Sequence, residues 1–521
     1  MVAELERRRR LAVLGGVMCS VFLAAMESTV VATAMPTVIA SLGGIRIYSW
    51  VFSAFLLTST VTIPLWGRLS DQLGRRRTYL VGLGLFLLGS ALSGLSQSMA
   101  QLIAFRAIQG LGAGSLISVG VTIIADLYGL ERRAKMQGYF SSVWGVASIV
   151  GPLLGGVLAD TWSWRWAFYI NLPFGLLASA GIAWGLRHEP VVRRRVSIDY
   201  RGMAVFTAAV SVLLMGLVEG GREASWSGGW VLGLLAAAAV LTALFVLVER
   251  RVAEPVVPLA LFANPMVRAA AATGFFAGMA MFGAIAYVPL FLQSVVGSTA
   301  TQAGFVLTPF VLSWVLFSVV GARLVLRAGY RGVVIAGMCI LTTAFLLLSG
   351  WGPPLTRFTA ARDMLLAGVG MGLVFVPMLI AVQNAVPHAI LGSATSMTMF
   401  FRAIGGAVGV AVMGSVMAHR LHTELGAVAS ATAGPLLESI RELARHPDLI
   451  VNPLTRGAIP PEVLAPVRLA LAHSLSGVFL VGLLVCVAAL TSAFLVPSGQ
   501  ARDLVAEPPA PTREGAAPTG R

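Results

Sequence analysis

The sequence predicts an all-α polytopic membrane protein with fourteen transmembrane helices, and three observations predict it. Of 521 residues 57% are hydrophobic and only 11% charged, with a mean hydropathy of +0.86; a soluble chain carries about a quarter charged residues. Apolar runs long enough to cross a ~30 Å hydrocarbon core recur along the whole chain. Basic residues cluster between those runs in alternation. This composition excludes a disordered chain, a collagen and a disulfide-stapled secreted scaffold. The formal net charge of +15 lies between apolar runs rather than on one soluble face, so it reads as membrane orientation and no nucleic-acid partner is expected. Cys19, Cys339 and Cys486 sit inside apolar runs without a CxxC or a His/Cys cluster, and read as small buried residues rather than a disulfide or metal set.

The spans follow in order. The first, Leu11–Ala34, comes after the basic run Arg7–Arg10; it is too long for the apolar core of a signal peptide and holds Glu27. The second, Tyr48–Trp66, leads into Gly67-Arg68-Leu69-Ser70-Asp71-Gln72-Leu73-Gly74-Arg75-Arg76-Arg77. Glycines there permit a tight turn, and Asp71 among four arginines can form an ion-pair latch or cap a helix N-terminus. Spans three and four are Thr78–Gln97 and Gln101–Ala125, the latter carrying Arg106 and a small-residue stripe, Gly110, Gly114 and Ser118, that permits close helix contact. The fifth, Gly138–Ala159, holds Gly145, Ala147, Gly151, Pro152, Gly155 and Gly156; small residues beside a helix-bending proline suggest a flexible, tightly packed interface helix.

Span six is Trp166–Leu186, seven and eight are Gly202–Glu219 and Gly229–Val248, and nine is Arg268–Leu292. Span ten, Thr301–Gly321, ends in a degenerate echo of the second loop: Ala322 to Arg331 aligns with Gly67 to Arg76 and puts Leu326 opposite Asp71. Weak repetition of this kind suggests two homologous halves, with the latch acid in the first only. Gly332–Trp351, Asp363–Val386, Leu391–Ala418 and Leu471–Val496 complete the set. Between the last two, 419–470 carries mixed charge and helix-like stretches at Leu436–Leu443 and Val463–Leu471, a loop or short amphipathic cap; 497–521, rich in Pro, Ala and Gly, reads as disordered.

With the N-terminus inside, the inner short loops hold 22 basic residues against 5 in the outer ones, and this positive-inside bias puts both termini in the cytoplasm. Only Glu27, Arg106 and Arg402 then lie well inside a span, where a charge costs at least ~2.5–3.5 kcal/mol and faces protein or a water-filled cavity. Glu27 is seven residues from the outer end of its span and Arg106 five from the outer end of its own. Their depths differ by only ~3 Å at 1.5 Å per residue, so the two can pair. An embedded carboxyl that takes a proton from one side and releases it when an opposing charge arrives is the minimum equipment for proton-coupled exchange. Arg402, near mid-depth, has no embedded acid in its own half, which leaves an anionic substrate group or backbone carbonyls as partners.

The Gly67–Arg77 loop resembles the signature between helices two and three of the major facilitator superfamily. Three further stretches resemble its fourteen-helix drug:proton antiporter branch: Glu27 to Pro36, Arg106 to Gly112, and Gly145 to Gly156 as the antiporter motif. Trp164-Arg165-Trp166-Ala167-Phe168-Tyr169-Ile170-Asn171-Leu172-Pro173 is similar to that branch as well. The resemblance implies the major facilitator fold, two six-helix bundles around a cavity with spans seven and eight inserted, and alternating access. Domains are then expected at 1–10 (basic N-terminus), 11–186 (first bundle), 187–267 (linkers and inserted helices), 268–496 (second bundle) and 497–521 (tail). It assigns Gly67, Asp71, Gly74, Arg75 and Arg76 to a conformational latch, Glu27 and Arg106 to proton coupling, and Gly145, Gly151, Pro152, Gly155 and Gly156 to the antiport interface. Glu27 stands where many relatives have aspartate, and no deep acid in the second half supplies a further proton site.

The expected function is therefore proton-driven efflux of amphipathic, cationic or lipophilic compounds across the cytoplasmic membrane, by a monomer that uses the proton gradient and no cofactor. Glu27, Trp50, Phe55, Trp144, Tyr287, Phe291 and Arg402 are candidate cavity residues, the aromatics suited to lipophilic cations. Export of an endogenous lipid or metabolite on the same fold is the alternative. A membrane enzyme is disfavoured because six histidines are scattered and mostly in loops; His419 and His422 would hold a metal only if His446 or an acid joined them. No GxxxxGK[ST] loop supports ATP drive.

Overall fold

The computed structural model describes residues 2–42, 50–128, 161–187, 199–223, 228–252, 255–298, 300–431 and 461–498, with isolated positions between these stretches. Among them no strand occurs, and twelve helices are long and apolar enough to cross a membrane. These are α1 (Val2–Leu42), α2 (Trp50–Leu73), α3 (Arg75–Leu95), α4 (Met99–Leu127), α5 (Trp166–Gly185), α6 (Tyr200–Glu223), α7 (Gly229–Glu249), α8 (Pro265–Phe291), α9 (Ala300–Ser349), α10 (Arg357–Ala385), α11 (Leu391–Ala431) and α12 (Pro461–Ala493). One of the twelve is double. The 50-residue α9 takes up spans ten and eleven, joined at Gly329, where a φ of 70° and ψ of 169° break the helix. The fifth span lies largely outside the described residues, and with it Trp144, Pro152 and Gly156; Gly145, Gly151 and Gly155 are described, helical and buried.

Gly329 exposes the repeat. In the alignment of the two loops it stands opposite Gly74, and Gly74 has a φ of 89° and a ψ of 153°. Both backbones occupy a region essentially restricted to glycine, at equivalent points between one span and the next. The residue after each glycine then turns inward and finds a partner at the end of a later helix. Arg75 reaches Asp126 at the end of α4, and buried Tyr330 receives a 2.7 Å hydrogen bond from Asn384 at the end of α10. The second half keeps the geometry in uncharged form.

Helices α1 to α5 pack on one another, as do α8 to α12. Small residues set the spacing in the first group. A β-carbon at Gly110 would meet Thr58 and the Phe55 carbonyl, one at Gly114 would meet Thr62 and the Ser59 carbonyl, and one at Gly112 would meet Phe86 on α3. The Gly110–Gly114 stripe is thus the seam between α4 and α2. The inserted helix α6 touches both halves, against α2 and α11, with Phe206 5.5 Å from Phe400 and 5.1 Å from Phe245 of α7.

Two boundaries differ from expectation. Helix α1 starts at Val2, so the basic run is a helical extension of the first span. Helix α11 continues to Ala431 and α12 begins at Pro461, both reaching into the expected 419–470 loop. Leu421 and Leu425 are buried there and His473 Nδ1 lies 3.4 Å from Glu424 Oε2, so the two helices keep packing beyond the apolar stretch that hydropathy detects. Leu436–Leu443 lies outside the described residues.

Candidate functional site

Two clusters gather the residues singled out above. The first is at the centre of the α1 to α5 bundle, where both Glu27 and Arg106 are 0% exposed. Arg106 Nη1 donates to Glu27 Oε1 at 2.6 Å and to Gln109 Oε1 at 2.8 Å, and its Nε donates to the Val51 carbonyl at 3.3 Å. The guanidinium lies over Phe55, 4.2 Å from the ring centroid, with Phe168 at 5.9 Å. Charge-assisted bonds in a low-dielectric interior are the strong ones, and this pair ties α1 to α4.

Asn171 completes the cluster, and sequence reasoning did not single it out. Its Nδ2 donates to Glu27 Oε2 at 2.6 Å and to Ser90 Oγ at 2.9 Å, and Ser90 in turn donates to the Phe168 carbonyl at 2.8 Å. One carboxylate therefore holds α4 through Arg106 and α5 through Asn171. The only sequence signal was that Asn171 belongs to the Trp164–Pro173 string. Arg106 Nη2 and Asn171 Oδ1 remain without a partner among the described residues.

The second cluster is the Gly67–Arg77 loop. Asp71 does both things its surroundings allow. Its Oδ1 accepts from Arg75 Nη1 at 2.6 Å, and its two carboxylate oxygens accept from the Gly392 and Ser393 amides at 2.9 and 2.8 Å and from Ser393 Oγ at 2.8 Å. An acid of the first half thus caps the N-terminus of α11 in the second half, where unsatisfied amides and the helix dipole favour negative charge. Close approach makes this possible: a β-carbon at Gly67 would run into Ser396, and one at Gly392 would meet Asp71 and Ser70. Arg75 is itself held by Asp126 Oδ2 at 2.9 Å and Ser70 Oγ at 3.0 Å. Arg76 is half-buried beside it. His388, in the 3-10 turn ahead of the thirteenth span, puts Nε2 3.1 Å from Asp126 Oδ1. That hydrogen bond, together with the charge of Asp126, raises its pKa above the ordinary histidine value against the lowering effects of burial and Arg75.

The remaining candidates disperse. Gly145 faces α9 of the second half, where an added β-carbon would stand 3.0 Å from Val311 and 3.4 Å from Val315. Trp50 is half-buried at the first position of α2. Tyr287 uses its hydroxyl on the Val410 carbonyl at 3.0 Å. Phe291, expected at the cavity, is fully buried between Trp351 and Phe479, at 5.3 and 6.1 Å, in the packing of the second bundle. Arg402 lies 5.1 Å over the Phe375 ring with Nη2 3.3 Å from Met399 Sδ, and no acid pairs with it among the described residues. No group of three His, Cys, Asp or Glu suited to a metal occurs among the described residues.

Two apolar helical bundles, a buried ion pair within one, and a charged clasp across their seam define a polytopic transporter. The chain belongs to the major facilitator superfamily, whose family model matches residues 17–410. It is similar to the multidrug transporter protein MdtP of Bacillus subtilis, 37% identical over 80% of this chain and 77% of the relative. It is also similar to multidrug resistance protein 3 of the same organism, 34% identical over 94% of each chain, and to the efflux pump dotC of Dothistroma septosporum, 34% identical over 77% and 70%. Among solved structures the human organic anion transporter MFSD10 matches 92% of this chain and 99% of its own with a TM-score of 0.59; at 18% identity the likeness is one of fold. The protein is a multi-pass membrane transporter of small molecules and not an enzyme.

Proposed function

We propose that the protein exports amphipathic, lipophilic compounds in exchange for protons, by alternating access in the cytoplasmic membrane, as a monomer with both termini in the cytoplasm. The observation that carries this reading is the fully buried Glu27–Arg106–Asn171 cluster. Two charges in a membrane-depth interior are costly, and packing alone is achieved more cheaply without them. A carboxylate that joins three helices gives a proton something to switch. Protonation removes the charge that holds Arg106, loosens α1 from α4 and α5, and frees the guanidinium to reposition. A cationic substrate group reverses this by competing for the same carboxylate. Relatives named as a multidrug transporter, a multidrug resistance protein and an efflux pump support export of varied small molecules. With the termini inside, the Asp71 clasp faces the cytoplasm and the described state is the one closed on that side.

Reconstitution in liposomes with an imposed pH gradient tests the coupling. Wild-type protein concentrates a fluorescent lipophilic cation against its gradient, whereas Glu27→Gln permits only downhill movement. Uphill transport undiminished in Glu27→Gln removes the coupling assignment, and movement of a lipid but of no tested cation points to export of an endogenous lipid.

A further inference from the structure

Of the three charges that lie well inside a span, Arg402 is the one the coupling cluster does not use. Helix α11 is fixed at its start by the Asp71 clasp, and Arg402 lies eleven residues on from Leu391, ~16 Å along the axis and about half of a ~30 Å core. Gly278 of α8 admits the Arg402 backbone so closely that a β-carbon there would strike its carbonyl, which holds the arginine's Cα in place. What surrounds the side chain is mostly apolar. A cavity of about 10 Å³, room for a single water, is bounded by Gly274 on α8, Phe375 and Met378 on α10, and Thr398, Met399 and Arg402 on α11.

The donors here outnumber the acceptors. A guanidinium presents five N–H groups in a planar fork matched to carboxylate, sulfonate or phosphate. Among the described residues Arg402 donates to a thioether sulfur, a weak acceptor, and lies over the Phe375 ring. A second donor lies nearby: the Trp314 ring is 6.1 Å from that of Phe375, and its indole Nε1 is buried without a hydrogen-bond partner among the described residues. Glu27 cannot supply the missing charge, since it is fully buried in the other bundle and already neutralised by Arg106.

We infer that Arg402, with Phe375 beneath it, is a subsite for the anionic head of an amphipathic substrate, a carboxylate, sulfonate or phosphate on an aromatic or aliphatic body. This rests on the reading of the chain as an exporter of amphipathic compounds and adds to it an acidic or zwitterionic class of cargo. The head group displaces whatever fills the small cavity and widens the cleft between α8, α10 and α11. Phe375 and Trp314 then offer ring faces to the body of the molecule.

Equilibrium binding without any pH gradient separates this inference from the coupling mechanism. Full-length protein in non-ionic detergent is titrated with dansylglycine, which has one carboxylate on an aromatic body, and with its uncharged methyl ester. Wild-type protein is expected to bind the acid at least about tenfold more tightly than the ester. In Arg402→Gln the preference falls to within about twofold while ester binding is kept, and Arg402→Lys retains part of it. Gly274→Asp serves as an internal competitor: Gly274 and Arg402 line the same cavity, and among the described residues a β-carbon at Gly274 meets only the Thr398 carbonyl, at 3.9 Å. It should abolish the preference with the arginine still present, and it decides the matter alone if Arg402→Gln does not fold. Equal binding of acid and ester by the wild type, no binding of the acid, or an unchanged preference in either variant overturns the inference. Loss of proton-driven uptake with the preference intact would instead count against the coupling assignment only.

Discussion

A single side chain decides how the coupling cluster is held. Glu27 Oε1 is matched to a guanidinium and Oε2 to a carboxamide, both at 2.6 Å. Removing the carboxamide leaves a fully buried carboxylate oxygen short of a donor, which costs ~1–3 kcal/mol. Asn171→Ala is therefore expected to lower the melting temperature of the purified protein by several degrees and to reduce pH-driven uptake. Ser90→Ala should do less, because Asn171 keeps its bond to Glu27. Equal effects of the two, read by thermal unfolding and by uptake in liposomes, would mean that Asn171 serves packing rather than the carboxylate. Arg106→Lys is a separate case. A lysine keeps the charge but cannot serve Glu27, Gln109 and the Val51 carbonyl from a planar fork while lying on Phe55, so uphill transport should fall at least about tenfold.

Helices are joined across the seam by one acid and two glycines. Asp71→Ala deprives the Gly392 and Ser393 amides of their cap and Arg75 of one of its two acids, whereas Asn keeps a single acceptor oxygen for one of the two amides. Spin labels at Leu73 and Ala389, both exposed, in a cysteine-free background are expected to show the clasp opening most in Asp71→Ala, less in Asp71→Asn, and least in the native loop; an unchanged distance in both variants would show that the clasp carries no weight. Gly74→Ala and Gly329→Ala should each cost ~1–3 kcal/mol, since no side chain is comfortable at their φ and ψ. The charged and glycine features were legible in the sequence because an apolar chain makes them conspicuous: a carboxylate in a span, an acid among arginines, a loop that repeats. Asn171, Ser90 and Trp314 were not, because polar and aromatic residues are common in spans. Their meaning comes from the crossing of several helices, which periodicity does not report. The overrun of α11 and α12 beyond the hydropathy boundary was hidden for the same reason, since helix packing there continues outside the apolar stretch.

At the scale of the molecule, opening and closing is a competition between faces, and His388 makes the clasp face sensitive to pH. Its pKa is raised where it meets Asp126, mainly through that hydrogen bond. A histidine with a higher pKa in the clasped state than when free stabilises that state fully below its free value, and the contribution is lost as pH rises through the clasped value. The clasped population is thus expected to fall as pH rises above the ordinary histidine value, and His388→Ala should flatten the dependence. Since Arg75 opposes the charge on His388 and side-chain exposure at His388 is 78%, screening keeps the effect small. Probing this in spheroplasts and in inverted vesicles also fixes which compartment is sensed. A cysteine at Gln101, exposed at the opposite face near the start of α4, should react with an impermeant maleimide from outside the cell, and one at Leu73 only from the cytoplasmic side. The reverse pattern would put the clasp and its histidine outside, invert the positive-inside assignment, and turn the described state into one closed to the exterior.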